Sequence, residues 1–445
     1  VSVHLGAELR GKDSAFSQVS IDTRTLESGD LFVALNGDNF DGHRFISQAE
    51  KSGACAAIVA ADVKSSMATL RVEDTLLALA DLARLNRNRY KHPLIAITGS
   101  AGKTTAKNIL SAIASVSGPT LATQGNFNNE IGVPLTLLNL SEQHHFAIVE
   151  MGAARAGDIN YLCEIASPDI SVLLNAMPAH LSGFGSVAGV AAAKGEIFKS
   201  LKAGGIAVIN RDSPFYSQWC DYAGSRQIID FGLDASAAIN ATGLKPLGNG
   251  GLEFELHTPL ASQRVEFALL GKHNVMNALA AAAAATAAGI GIDAIGQGLS
   301  LVEAAPGRLS SQLQTEGYLL IDDSYNANPQ AVKAAIDVLS AYSGKTYLLL
   351  GDMGELGEES AELHSQVGSY ACEKGIDNLW TVGELASDIA QAYGRDSVSF
   401  GSKAELITAA NATFGSGDIV LVKGSRSAGM DEVVSALSLN NKGAR

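Results

Sequence analysis

The stretch Leu94-Ile95-Ala96-Ile97-Thr98-Gly99-Ser100-Ala101-Gly102-Lys103-Thr104-Thr105 decides the fold of this 445-residue chain. Leu94 to Thr98 reads as a strand and Lys103 to Ser115 as a helix. Between them, Gly99 and Gly102 permit a tight turn and a close backbone approach to a ligand. N–H groups at a helix start have no intrahelical acceptor, so a loop of this kind cradles phosphate oxygens. Lys103 supplies a cation for β- and γ-phosphates, and the Thr104 hydroxyl can reach Mg²⁺. Ile97 stands where the general G-x-x-x-x-G-K-[ST] pattern has its first glycine, so this loop is shorter than that pattern. A glycine-containing turn with an incidental lysine is the competing reading. Strand, two glycines, Lys-Thr and helix in one run favour ATP or a related nucleotide.

Around this stretch, β and α patterns alternate. Strands are expected at Ala147 to Met151, Ile170 to Leu174 and Ile206 to Asn210, with helices at Asp158 to Ala166 and Val187 to Leu201. That alternation belongs to a parallel sheet covered by helices. Between Ala237 and Leu270 the pattern changes to period two, broken by Gly248-Asn249-Gly250-Gly251, which predicts an antiparallel insertion with a hairpin. A long helix is expected from about Asn274. Upstream, strand-like runs Leu31 to Leu35 and Ala56 to Val59 flank a helical pattern from His43 to Lys51, and a second helix, Thr75 to Tyr90, closes at His92-Pro93. Downstream, a third α/β alternation uses Tyr318 to Ile321, Tyr347 to Leu350, Leu379 to Val382, Val398 to Phe400 and Ile419 to Val422. The fold class is therefore α/β in three domains: 1–91, a small N-terminal α/β unit; 92–308, a P-loop parallel-sheet domain with the antiparallel insertion; and 309–445, a Rossmann-like domain. Pro306-Gly307 is the expected hinge.

Length agrees, since about 150 residues per domain predicts roughly three. A hydrophobic share of 47% and a charged share of 18% are those of a globular chain. The net charge of -14 argues against binding a nucleic-acid backbone, which needs Lys and Arg in excess. Cys55, Cys163, Cys220 and Cys372 are scattered, with no C-x-x-C pair, and are expected to be buried thiols in a reducing compartment. The start, Val1-Ser2-Val3-His4, lacks the pattern of a signal peptide, and the alanine-rich run Ala278 to Ile292 falls short of a membrane span. The expectation is a cytoplasmic protein with no membrane span, and a monomer by default.

A phosphate cradle serves motors, kinases, ligases and switches alike. Several further segments narrow that choice. Ser20-Ile21-Asp22-Thr23-Arg24, Gly29 to Leu35 and Asp41-Gly42-His43 come first. Gly125-Asn126-Phe127-Asn128-Asn129-Glu130-Ile131-Gly132-Val133-Pro134, Val149-Glu150-Met151-Gly152, Ala179-His180-Leu181 and Ala193-Lys194-Gly195-Glu196 follow. His273-Asn274-Val275-Met276-Asn277, Gly307-Arg308, Asp322 to Pro329, Gly351 to Gly357 and Val422-Lys423-Gly424-Ser425-Arg426 complete the set. Over nearly its whole length the chain resembles the Mur ligases of bacterial peptidoglycan synthesis, most closely the branch that adds D-alanyl-D-alanine. The D-N-P-R signature of diaminopimelate-adding relatives is absent.

The resemblance implies that ATP phosphorylates the terminal carboxylate of UDP-N-acetylmuramoyl-tripeptide, and that the amine of D-alanyl-D-alanine attacks the acyl phosphate. It implies a UDP-substrate-binding first domain, an ATPase second domain and a ligase third domain. Catalysis would fall to Lys103, Glu150, His180, Lys194, Arg308 and Asp323. Mg²⁺, at two sites, would be held by Thr104, Glu150, His180 and Lys194, with Lys194 carbamylated into an anionic oxygen ligand; a strand-end carboxylate suits this hard ion. A solvated Glu, a structural His and a snorkelling Lys are the ordinary readings of those three residues in isolation. ATP would meet Gly99, Ser100, Ala101, Gly102, Lys103, Thr104 and Thr105, together with Asn274 and Asn277, which sit three apart on one helix face. Arg308 and Asp323 would join as the third domain closes. Ser20, Thr23 and Arg24 are expected at the uridine-diphosphate end, and Asn128 and Asn129 at the sugar or peptide. Tyr325, Asn326, Asn328, Lys423 and Arg426 are expected at the dipeptide or stem, with helix capping before Pro329 and a solvated basic loop as the alternative. A relative adding a different amino acid, a small-molecule kinase and a non-catalytic nucleotide-binding module are the competing functions.

Overall fold

The computed structural model describes residues 1–37, 40–178, 181–247, 251–303, 306–354, 356–395 and 397–439. These residues form two compact units. The first takes in Val1–Asn240, His257–Ala261 and Met276–Gly298, and the second Ala241–Leu256, Ser262–Val275 and Leu299–Arg445.

Two sheets build most of the first unit. The smaller runs Glu8–Arg10, Ala68–Arg71, Ala56–Val59, Leu31–Val33, Val19–Ser20, with only its first pair antiparallel. The larger contains six parallel strands in the order Gln227–Gly232, Ile206–Asn210, Ile170–Leu173, Leu94–Thr98, Phe146–Glu150, Thr120–Ala122. All five residues of Leu94–Thr98 are buried, as expected of a strand covered by helices on both faces. The chain leaves this strand for the far edge at Thr120–Ala122, returns to Phe146–Glu150, and then continues on the other side at Ile170–Leu173. The strand order therefore reverses at Leu94–Thr98, and open parallel sheets bind ligands at such a point, beyond the carboxyl ends of the strands.

The elements around the site differ from the sequence reading in three places. The expected helix Val187 to Leu201 is two helices, Val187–Lys194 and Glu196–Lys199. Gly195 divides them where the Tyr222 ring approaches so closely that a Cβ would lie 2.7 Å from it. The strand Gln227–Gly232 has no counterpart in the sequence reading. The first two residues of the insertion strand Ile239–Pro246 extend the parallel sheet beside it, with Ile239 opposite Phe231 and Asn240 opposite Gly232. The expected hairpin residues Gly248, Asn249 and Gly250 lie outside the described residues. The strands on either side, Ile239–Pro246 and Leu252–His257, are neighbours, and Ser262–Phe267 follows. Helix Lys272–Ala287 comes next.

In the second unit a sheet runs Ser310–Leu313, Leu319–Asp323, Ile419–Lys423, Thr346–Gly351, Asn378–Val382, Ser397–Phe400, parallel except for its first pair. Alternate residues supply two cores. Leu348, Leu350 and Leu421 pack with Val332, Val367 and Ile389 on one face, while Tyr347, Leu349 and Val422 pack with Leu406 and Val433 on the other. The period of two along each strand thus feeds helices on both sides.

All four cysteines are free thiols; Cys163 is buried, whereas Cys55, Cys220 and Cys372 are only partly so, which corrects the expectation of four buried thiols.

Candidate active site

The loop after Leu94–Thr98 turns into helix Lys103–Ser117 through Gly102, which has a φ of 81° and a backbone so close to the Asn277 amide that a Cβ would collide with it. The first backbone hydrogen bond of this helix runs from the Ala106 N–H to the Gly102 carbonyl, 2.8 Å. The N–H groups of Lys103, Thr104 and Thr105 precede it and carry the positive end of the helix. The Lys103 ammonium folds back to donate to the Gly99 carbonyl at 2.8 Å, and burial pushes its pKa down against the opposing pull of Glu150.

Glu150 is the last residue of its strand and is 2% exposed. Its Oε2 accepts the Thr104 hydroxyl at 3.1 Å and its Oε1 accepts the Asn128 amide at 2.8 Å. Behind it stands Lys107, which sequence reasoning missed. The Lys107 ammonium is 4.0 Å from Glu150 Oε2 and donates to the Thr123 carbonyl at 2.7 Å. Thr123 in turn accepts the Glu150 N–H on its hydroxyl at 3.0 Å. The available signal was spacing: Lys107 follows Lys103 by four residues and so shares its helix face.

A cleft of about 1000 Å³ opens in the first unit, lined among others by Ser100, Lys103, Asn128, Asn129, Lys194 and Tyr161. Lys194 ends its helix, is 2% exposed, and makes no hydrogen bond or ion pair among the described residues; its ammonium lies over the Phe184 ring, 5.9 Å from the ring centre. Burial, then the charge of Lys103, pushes its pKa down to about 8. A buried cation facing a cleft without a counter-charge is costly unless a ligand or a modification completes it. Asn129 also lines the cleft, and its Oδ1 accepts the N–H groups of Ile131 and Gly132 at 3.3 and 3.0 Å.

The other expected residues are divided between the two units. His180 is outside the described residues, as are Ala179 and Glu355 of the quoted motifs. Ser20, Thr23 and Arg24 sit at the end of the first sheet, where Arg24 pairs with Asp22 at 2.6 Å and holds that carboxyl down at about 2. Asn274, Arg308, Asp323, Tyr325, Asn326, Asn328, Lys423 and Arg426 belong to the second unit. There the Arg308 guanidinium lies over the Tyr325 ring at 4.4 Å. Lys423, 3% exposed, donates to Asp323 Oδ2 at 2.5 Å, to the Asp323 carbonyl at 3.4 Å and to the Asn326 carbonyl at 2.8 Å. An ammonium has three donors, and all three are engaged within the protein. Burial raises the pKa of Asp323 while Lys423 opposes that rise. Asn328 caps helix Pro329–Leu339, accepting the Ala331 N–H at 2.8 Å, which is the capping alternative weighed from sequence. Arg426 is exposed and 3.5 Å from Asp431.

Three family descriptions match consecutive stretches of the chain: the Mur ligase family, catalytic domain, over residues 15–87; the Mur ligase middle domain over 97–285; and the Mur ligase, glutamate ligase domain over 307–426. The UDP-N-acetylmuramoyl-tripeptide–D-alanyl-D-alanine ligase of Escherichia coli K12 is 43% identical over 439 residues, covering 98% of this chain and 97% of its own. The chain belongs to the Mur ligase family. This Mur ligase is also similar to the crystal structure of MurF from Acinetobacter baumannii, at 35% identity and a TM-score of 0.87, with 98% of this chain and 97% of that one covered. MurF ligase from Thermotoga maritima, solved in complex with ADP, aligns with a TM-score of 0.84 at 29% identity over 97% of this chain and 99% of its own. As a Mur ligase the chain is an ATP-dependent, amide-bond-forming enzyme of peptidoglycan synthesis. No described helix is long and apolar enough to cross a membrane.

Proposed function

We propose that this Mur ligase joins D-alanyl-D-alanine to UDP-N-acetylmuramoyl-tripeptide, using ATP and passing through an acyl phosphate. The observation that carries the reading is the pair of lysines facing one cleft. Lys103 is parked on a carbonyl of its own loop, and Lys194 is buried without a counter-charge among the described residues. Two anionic groups, a carboxylate and a terminal phosphate, repel each other, and positive charge at their meeting point, from Lys103 and from ions that a modified Lys194 would help to hold, offsets that repulsion. The Escherichia coli relative carries this activity in its name, and 43% identity over 98% of the chain supports extending it here.

In this reading the N–H groups at the start of helix Lys103–Ser117 hold phosphate, and Lys103 moves from the Gly99 carbonyl to the γ-phosphate. Asn274, Asn277, Arg308 and Asp323 supply the remaining nucleotide contacts. The donor set fits Mg²⁺: Glu150 presents carboxylate oxygens already aimed by Asn128 and Thr104. With Thr104, His180 and a carbamylated Lys194, Glu150 would hold two ions, which neutralise phosphate charge when bound. Carbamylation requires an unprotonated amine, and a pKa brought down to about 8 supports it at Lys194. Ser20, Thr23 and Arg24 bind the uridine-diphosphate end, Asn128 and Asn129 the sugar or peptide, and Tyr325, Asn326 and Arg426 the incoming dipeptide or stem, with Asn328 capping helix Pro329–Leu339 beside them. Lys423, with its donors engaged, acts there by holding the Asp323–Asn326 turn. We place the domain boundaries near residues 91 and 308, and the enzyme in the cytoplasm as a monomer.

ADP release with UDP-N-acetylmuramoyl-tripeptide, measured with and without D-alanyl-D-alanine, tests the assignment. Dependence on the dipeptide, abolished in Lys103→Ala, is expected; turnover that ignores the amine would make the protein a kinase instead.

A further inference from the structure

The phosphate loop is gripped from the side by a segment more than seventy positions away in sequence. Asn175 lies two residues past strand Ile170–Leu173. Its Oδ1 accepts the Ala101 N–H at 3.0 Å, and its Nδ2 donates to the Ala101 carbonyl at 3.0 Å. Its own carbonyl accepts the Ser100 N–H at 3.1 Å. Met177 adds two further links to the Ser100 hydroxyl, accepting from it at 3.2 Å and donating to it at 3.0 Å. Leu174 packs beneath Gly99, where a Cβ would lie 3.0 Å from Leu174 Cβ.

A carboxamide that bonds both the N–H and the carbonyl of one residue fixes the peptide planes on both sides of it. Among side chains of this length, only Asn carries a donor and an acceptor in one rigid plane. The grip has two consequences. First, the N–H groups of Ser100 and Ala101 are used inside the protein, so the cradle begins at Gly102 and draws on Lys103, Thr104 and Thr105. Second, the loop's curve is set before any ligand arrives, including the direction of the Gly99 carbonyl on which Lys103 rests. Ordering a loop beforehand removes that cost from the binding step.

We propose that Asn175 is a positioning residue of the nucleotide site, holding the Gly99–Gly102 loop in its phosphate-accepting form through the Ala101 peptide groups. This rests on the reading of the loop as the ATP cradle. Both polar ends of its carboxamide are taken up by Ala101, so its loss should act on nucleotide terms alone.

The test is isothermal titration of MgADP into the full chain, with steady-state kinetics in each substrate, for wild type, Asn175→Ala and the isosteric Asn175→Asp. Expected are ADP binding about tenfold weaker in Asn175→Ala and an ATP KM raised by a similar factor. The KM for the UDP-linked peptide should stay within twofold and the thermal midpoint close to wild type. Asn175→Asp, which keeps the acceptor but loses the donor and adds a negative charge beside the cradle, should bind ADP at least as poorly. It carries the test should the alanine protein not fold. ADP affinity within twofold of wild type in either folded variant overturns the proposal, as does an equal rise in both KM values. Absence of ADP binding by the wild type would overturn the nucleotide reading on which it rests.

Discussion

Lys194 and Lys423 are buried to almost the same degree, 2% and 3% exposed, and they are opposites in every other respect. Lys423 ends a central strand of the second unit and directs all three donors at Asp323 and Asn326. Lys194 ends a helix beside an open cleft and has no polar partner among the described residues. A buried ammonium that is fully bonded belongs to the framework, because its desolvation is offset within the protein. One that is not bonded carries that cost until a ligand or a modification completes it. Burial alone therefore does not separate these two lysines; the count of satisfied donors does.

Removing the framework lysine should have the largest effect. Lys423→Met leaves the Asp323 carboxyl buried without its cation, and a broken buried pair costs about 3–5 kcal/mol. Urea unfolding of the second unit should show that loss, and the double variant Lys423→Met/Asp323→Asn should recover a large part of it. Equal stabilities for the single and double variants would mean that the pair is not the source of the cost. The unbonded lysine should behave in the reverse sense. Lys194→Met is expected to lower kcat by about 10²–10³-fold, the range for losing one preorganised charge-stabilising group. Its thermal midpoint at pH 7 should be equal to or above that of wild type, and a marked drop would erase the contrast between the two residues.

The same residue gives a pH signature. The folded pKa of Lys194 is about 8 against an ordinary 10.5, so between these values the unfolded chain binds more protons than the folded one. Stability therefore rises with pH across that window, because the burial cost present below pH 8 is relieved as the amine loses its proton. Wild type should gain on Lys194→Met by on the order of 2–3 kcal/mol between pH 7 and pH 10. A constant gap between their unfolding free energies over that range would show an ammonium that is not desolvated.

How far the sequence reveals these differences depends on how local each contact is. Lys103 is legible because the strand before it, the glycines beside it and the helix after it are contiguous, and each leaves its own pattern. Glu150 is legible as a strand end, although its bond to Thr104 spans 46 positions. The pairing of Lys423 with Asp323 spans 100 positions and that of Asn175 with Ala101 spans 74, and neither leaves a periodic trace. The break at Gly195 is hidden in the same way, since the Tyr222 ring that crowds it comes from a distant helix. Gln227–Gly232 escapes a strand reading because Asp230 interrupts its apolar run. That aspartate is nevertheless buried, paired with Arg211 at 2.6 Å and bonded to the Tyr216 hydroxyl at 2.8 Å. Long-range polar contacts, rather than hydrophobic pattern, are what sequence leaves unread.

The smallest expected effect separates capping from substrate contact at the end of the strand that carries Asp323. Asn328 accepts the Ala331 N–H at the start of helix Pro329–Leu339, with Pro329 in the first turn, an arrangement that needs no ligand. Asn328→Ala should cost about 1 kcal/mol of stability, as the loss of such a cap does, while Asn328→Asp or Asn328→Ser should retain most of it. If capping is the whole role, the KM for D-alanyl-D-alanine should remain within twofold in all three variants, measured below their unfolding midpoints. A KM that rises in Asn328→Asp, where the cap survives, would instead assign the side chain to the dipeptide.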